Sequence, residues 1–232
     1  MTLVEKQKIT DFLDLSSDFL GSGYKSAPKE YHFNEKPQKS YKENDSLLQV
    51  AEEINACKSC KLCETRKNAV PGEGVQNPVV MVIGEGPGAE EDAQGRPFVG
   101  RAGQLLDQML SSIKLSRNTD SFIANVVKCR PPNNRDPSPA ETSACAGFLE
   151  RQILILKPKF ILAAGRISAQ TLLQTSDSIT KIRHKFHELK IKDESFKLIC
   201  TYHPSALLRD ESYKRPAWED LKLLKSGIDG TN

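Results

Sequence analysis

Short apolar runs alternate with segments of helical period through most of this chain, and each apolar run ends in glycine or a polar cluster. Residues 79–83 (VVMVI), 122–127 (FIANVV) and 160–164 (FILAA) are too short for buried helices. They are apolar almost throughout, as strands covered on both faces must be. Between them lie segments with apolar positions three and four apart, 102–114 and 139–156, the second opening on a proline suited to a first helical turn. A shorter helix follows Gly165 and runs to Leu173; residues 186–191 and 196–201 read as further strands, and 215–228 as a terminal helix. This alternation predicts an α/β fold with a mostly parallel sheet and helices on both faces, in which ligands bind beyond the carboxyl ends of the strands.

Upstream the pattern fails. Residues 4–20 set Val4, Ile9, Phe12, Leu13 and Phe19 at roughly helical intervals, enough for one short amphipathic helix. Residues 21–45 are polar and lysine-rich, with two prolines and no apolar face, and read as a disordered linker that cannot offset its ordering entropy. Asp45 or Ser46 suits the cap of a helix through Ala56. The expected division is an extension over 1–45 and a folded domain over 46–232. At 232 residues, 38% hydrophobic and 27% charged, the composition fits one soluble domain with an appendage. No secretory leader and no membrane-length apolar run is visible, so a cytoplasmic location and no membrane partner are expected. A net charge of +3 is too mild to argue for nucleic acid by itself.

A reducing compartment argues against pairing the six cysteines as disulfides. Cys57 and Cys60 form a Cys-x-x-Cys pair, and Cys129 and Cys145 supply two more soft thiolates at the end of a strand and in the next helix. Spacing alone leaves an iron–sulfur cluster and a four-cysteine zinc site both open. Three polar segments follow three strands and should meet at one sheet edge. The first, 84–92 (GEGPGAEED), leads to 95–100 (GRPFVG); it lacks the dinucleotide fingerprint and the Gly-Lys-Ser/Thr of a phosphate loop. In the second, Asn125 interrupts an apolar strand, where its amide must be satisfied or used. The third places His203 before Pro204 at a strand end.

In order, CKSC, GEGPGAEED, GRPFVGRAGQLL, NVVKCRPPNNR with the later Cys145, and HPSALLR resemble the iron–sulfur (family 4) uracil-DNA glycosylases of bacteria and archaea, over about residues 50–228. The resemblance implies a three-layer α/β/α domain with a central, mostly parallel four-stranded sheet. It implies a [4Fe–4S] cluster on Cys57, Cys60, Cys129 and Cys145, and leaves Cys63 and Cys200 without counterparts. The implied substrate is uracil-containing DNA, the reaction hydrolysis of the N-glycosidic bond to leave an abasic site, and the acting unit a monomer.

An Asn side chain can donate to uracil O4 and accept from N3–H, a pattern cytosine reverses, and Asn125 suits that task. A base must leave the duplex to be reached, and flipped bases stack on aromatic rings. By resemblance Phe98 floors the pocket, Gly86 lines it, His203 meets uracil O2, and Glu85 and Glu91 carry the carboxylate duty. Sharper catalysts of the wider superfamily carry Asp where Gly86 stands, so this chain leans on leaving-group stabilisation. Arg130, Arg135 and Lys128 could meet phosphates, while Leu207 and Arg209, within 207–209 (LLR), resemble the loop that enters the duplex. Two other readings stand beside this one: a member of the superfamily that binds or covalently traps uracil-DNA, and an iron–sulfur electron carrier.

Overall fold

The computed structural model describes residues 45–230, so the helix and linker expected over 1–45 lie, all but Asp45, outside the described residues. Ser46, rather than Asp45, caps the first helix, α1 (Leu47–Ala56), in a reciprocal box with Gln49. Asp45 instead pairs with the buried Arg151 guanidinium on helix α5 (Pro139–Leu156), tying the start of the domain to its middle. α5 begins at the expected proline, behind a Ser138–Glu141 capping box.

Six strands form one sheet: β1 (Glu73–Gly74), β2 (Val80–Gly84), β3 (Ser121–Asn125), β4 (Phe160–Ala164), β5 (Phe186–Ile191) and β6 (Glu194–Thr201), in the order β1-β3-β2-β4-β6-β5. The four central strands β3, β2, β4 and β6 are parallel, as expected; antiparallel edges β1 and β5 bring the sheet to six strands rather than four. β1 escaped the sequence pattern because it has two residues, flanked and ended by glycines at positive φ (Gly72, Gly74).

Alternate residues of the central strands face opposite layers. Met81, Ile83, Ile161, Ala163 and Leu198 pack with Val50 and Ile54 of α1 and Phe148, Leu149 and Ile153 of α5. Val80, Val82, Leu162 and Ile199 pack with Leu106 and Leu110 of α4 (Arg101–Ser112) and with Leu221 and Leu224 of α9 (Lys214–Ile228). The result is three layers, α/β/α. The chain leaves β2 for β3 on one side and later returns to β4 on the other. The loop after β2 therefore lies at the topological switch point, where such sheets open a crevice.

Candidate active site

In register, Gly84 of β2 stands beside Asn125 of β3, and Ala164 of β4 beside Thr201 of β6. The segments that continue these strands meet around a cavity of about 470 Å³, whose lining includes Glu85, Gly86, Phe98, Asn125, His203 and Arg209. Asn125 is 1% exposed, and its side-chain oxygen is buried with no hydrogen-bond partner among the described residues. Leaving such an acceptor unmet costs about 1–3 kcal/mol, so the atom is shaped for something that enters the cavity.

Phe98 closes on the same spot. A Cβ on Gly84 would fall 2.4 Å from Asn125 Oδ1 and 2.6 Å from the Phe98 ring, so only glycine lets both side chains reach the base of the crevice. The Phe98 backbone is left-handed (φ 51), an uncommon state for an aromatic residue. Arg117 holds it there, donating to Phe98 O at 2.8 Å and Pro97 O at 3.2 Å while pairing with Glu73. The Phe98 and His203 ring centroids are 5.5 Å apart.

His203 caps a short helix, α8 (Pro204–Arg209), where the sequence resemblance implies a loop. Its Nδ1 accepts the Ser205 backbone N–H at 3.1 Å, which makes Nε2 the protonated nitrogen of the neutral ring. Burial, with help from Arg209, drives the imidazole pKa down to about 4, so the ring is neutral at physiological pH. The two glutamates differ. Glu91 Oε1 accepts from Val99 N and Gly100 N at 2.9 Å each, and Oε2 accepts from Gly88 N at 3.1 Å. It thereby fastens the Phe98 loop to the start of helix α3 (Ala89–Gln94). The Glu85 carboxylate has no hydrogen-bond partner among the described residues; burial, reinforced by Asp136, raises its pKa to about 7 against the pull of Arg166 and Arg209.

The expected DNA contacts divide. Leu207 is 3% exposed and belongs to the core under α8, which removes it as a wedge; Leu208, 42% exposed, is the apolar side chain turned outward. Lys128 is fully buried and donates to Asn125 O and Gln152 Oε1, so it cannot meet a phosphate. Arg135 forms a bidentate pair with Glu141 at 2.7 and 2.8 Å, and Arg130 bonds Asn134 while remaining partly exposed. Arg209 is exposed at the cavity rim. Sequence reading missed Arg166, Asp136 and Tyr202, which also line the cavity. Arg166 follows β4 as Glu85 follows β2, so position after an apolar run was the available signal.

Cys57, Cys60, Cys129 and Cys145 line one cavity between the end of α1, the segment after β3 and α5; Cys63 lines it too, whereas Cys200 sits in the sheet core. Their donor set is all sulfur, which fits an iron–sulfur cluster or zinc and no hard cation. No group of three His, Cys, Asp or Glu side chains among the described residues stands at metal-binding distance. Arg66 donates to Cys129 Sγ at 2.9 Å, and the Lys128 backbone N–H to Cys145 Sγ at 3.3 Å, donors of the kind that support ligated thiolates.

A family model described as the uracil DNA glycosylase superfamily matches residues 71–222. The type-4 uracil-DNA glycosylase of Sulfurisphaera tokodaii is 45% identical over 185 residues, 78% of this chain and 84% of that protein. That of Thermotoga maritima is 43% identical over 192 residues, 81% of this chain and 97% of that protein. A type-5 uracil-DNA glycosylase of Pyrobaculum aerophilum is 29% identical over 152 residues, 60% of this chain and 66% of that protein.

Proposed function

This chain belongs to the uracil DNA glycosylase superfamily, and we propose that it flips uracil out of DNA and hydrolyses its N-glycosidic bond, starting base-excision repair. The observation that carries this reading is the Oδ1 of Asn125, buried with no hydrogen-bond partner among the described residues, on a residue that lines a cavity with Phe98. A uracil stacked on Phe98 would give that oxygen its N3–H and take the amide N–H at O4. Cytosine offers the opposite pattern and would leave both groups unmet, which a buried site punishes strongly.

Breaking the bond moves negative charge onto uracil and positive charge onto the sugar. His203 supports the first: its neutral ring keeps Nε2–H as a donor for uracil O2, and the Ser205 bond to Nδ1 keeps the ring from turning. Glu85 supports the second, as a carboxylate beside the cavity that balances the sugar cation or orients water. Glu91 positions: its three backbone bonds hold Phe98 against the base rather than acting on it. Arg209 and Arg130 are offered to phosphates, and Leu208, exposed on α8, to the gap the base leaves. Arg135 serves chiefly as the partner of Glu141. All these groups come from one chain, which supports action as a monomer. No helix among the described residues is long and apolar enough to cross a membrane.

Cys57, Cys60, Cys129 and Cys145 would hold a [4Fe–4S] cluster, by the four thiol donors they bring to one cavity and the match to the family's spacing. When bound, such a cluster would staple α1 and α5 to the segment after Asn125, a structural service.

The test is a duplex oligonucleotide with one uracil, incubated with iron-loaded protein and then treated with alkali. A strand break at the uracil is expected. A protein–DNA adduct stable to denaturant would favour the trapping alternative, and an intact strand would refute both.

A further inference from the structure

Two cations stand at the cysteine cavity, and no carboxylate among the described residues lines it with them. Arg66 donates to the carbonyls of Ile54, Asn55 and Cys57 and to Cys129 Sγ. Lys128, 1% exposed, also lines the cavity. Its ammonium donates to Asn125 O at 2.8 Å and to Gln152 Oε1 at 2.7 Å, and Gln152 is itself oriented by a bond to Pro71 O. Neither side chain forms an ion pair with Asp or Glu among the described residues.

A buried ammonium paired only with neutral oxygens is expensive unless an anion lies near. The thiolates of the cysteine centre are that anion: a metal group held by four cysteinates remains net negative. Arg66 reaches the centre alone. Lys128 reaches in two directions, since it lines the cysteine cavity and gives its backbone N–H to Cys145 Sγ, while its Nζ grips the main chain of the residue that faces the base.

We propose that Lys128 is a positioning residue coupling the cysteine centre to the base pocket: it balances the ligated thiolates and fixes Asn125 from behind. The inference rests on the proposed cluster and on uracil excision. The centre is then more than a staple, because emptying it strands the Lys128 charge and loosens the residue that reads the base.

The experiment uses the full chain, iron-loaded, as parent and as Lys128→Met, with iron loss to a chelator followed by visible absorbance and single-turnover uracil excision normalised to loaded protein. Iron loss should speed up about tenfold or more, the usual effect of removing a partner of the ligands. Excision per loaded chain should fall about tenfold while affinity for abasic DNA stays near the parent's. Lys128→Arg, which keeps the charge, should recover iron retention. Arg66→Gln should also speed iron loss, with a smaller loss of excision per loaded chain than Lys128→Met. Iron retention and excision both within twofold of the parent would overturn the coupling, as would loss of iron retention alone. Should Lys128→Met fail to fold, Gln152→Leu removes one acceptor and leaves the charge; slowed excision with unchanged iron supports the coupling, and unchanged excision overturns it. A parent that binds no iron or cuts no uracil-DNA would instead defeat the underlying reading of function.

Discussion

Replacing His203 by alanine removes two interactions that serve different ends, and they can be separated. Nδ1 caps α8 through the Ser205 N–H; loss of a helix cap typically costs about 1 kcal/mol of stability. Nε2–H is the donor assigned to uracil O2, and losing one such donor costs about a hundredfold to a thousandfold in rate, roughly 2.7–4 kcal/mol of barrier. His203→Asn restores a good cap but cannot extend a ring N–H to the base. Alanine should therefore lower both stability and rate, whereas asparagine should recover stability and leave the rate at least a hundredfold down. Urea unfolding and single-turnover excision, on one preparation, read the two quantities.

The pH dependence carries the same signature. The folded-state pKa of His203, about 4, lies below the unfolded value of about 6.5. Its contribution to stability is thus complete above pH 6.5 and is lost as pH falls toward 4, at most about 3 kcal/mol. Asparagine should flatten that part of the stability profile. If alanine excises uracil within about threefold of the parent, or if asparagine restores rate along with stability, His203 is a cap and the catalytic argument fails.

Asn125→Asp exchanges a donor for a second acceptor; uracil excision should drop and activity on cytosine rise relative to it, measured on paired oligonucleotides. Glu85, with its pKa raised to about 7, should give an excision rate that climbs from pH 6 to pH 8 as the carboxylate forms, and Glu85→Gln should be slow and flat across that range. The same shift makes burial of Glu85 progressively destabilising as pH rises from the usual carboxylate range to 7. Leu208→Ala should weaken excision from paired duplex with little change in thermal stability, whereas Leu207→Ala should cost about 2–5 kcal/mol of stability as a core truncation; the reverse assignment would show in melting curves. Deleting residues 1–44 should leave iron content and excision near the parent's, and loss of DNA binding by the iron-loaded truncation would contradict that.

The parallel core of the sheet was legible because β2, β3 and β4 are nearly continuous apolar runs, and a strand buried on both faces leaves no other pattern. The pocket was legible where strand ends carry polar residues, as at Glu85, Asn125 and His203. Adjacent leucines were not: Leu207 and Leu208 are alike until helix α8 turns one inward, and α8 was hidden because histidine is an unusual cap. The acids of 84–92 read as one charge run, yet the backbone N–H groups of Gly88, Val99 and Gly100 claim Glu91 and leave Glu85 bare. Lys128 looked like a surface cation beside a ligand; only the fold shows that the chain turns inward after Asn125 and buries it.

The most direct test of the whole account is release of free base under single-turnover conditions, from matched oligonucleotides carrying uracil or cytosine at one position. Iron-loaded protein should release uracil and leave cytosine in place. Release of cytosine at a comparable rate, or no uracil release from a fully iron-loaded preparation, would contradict the reading of the Asn125 pocket.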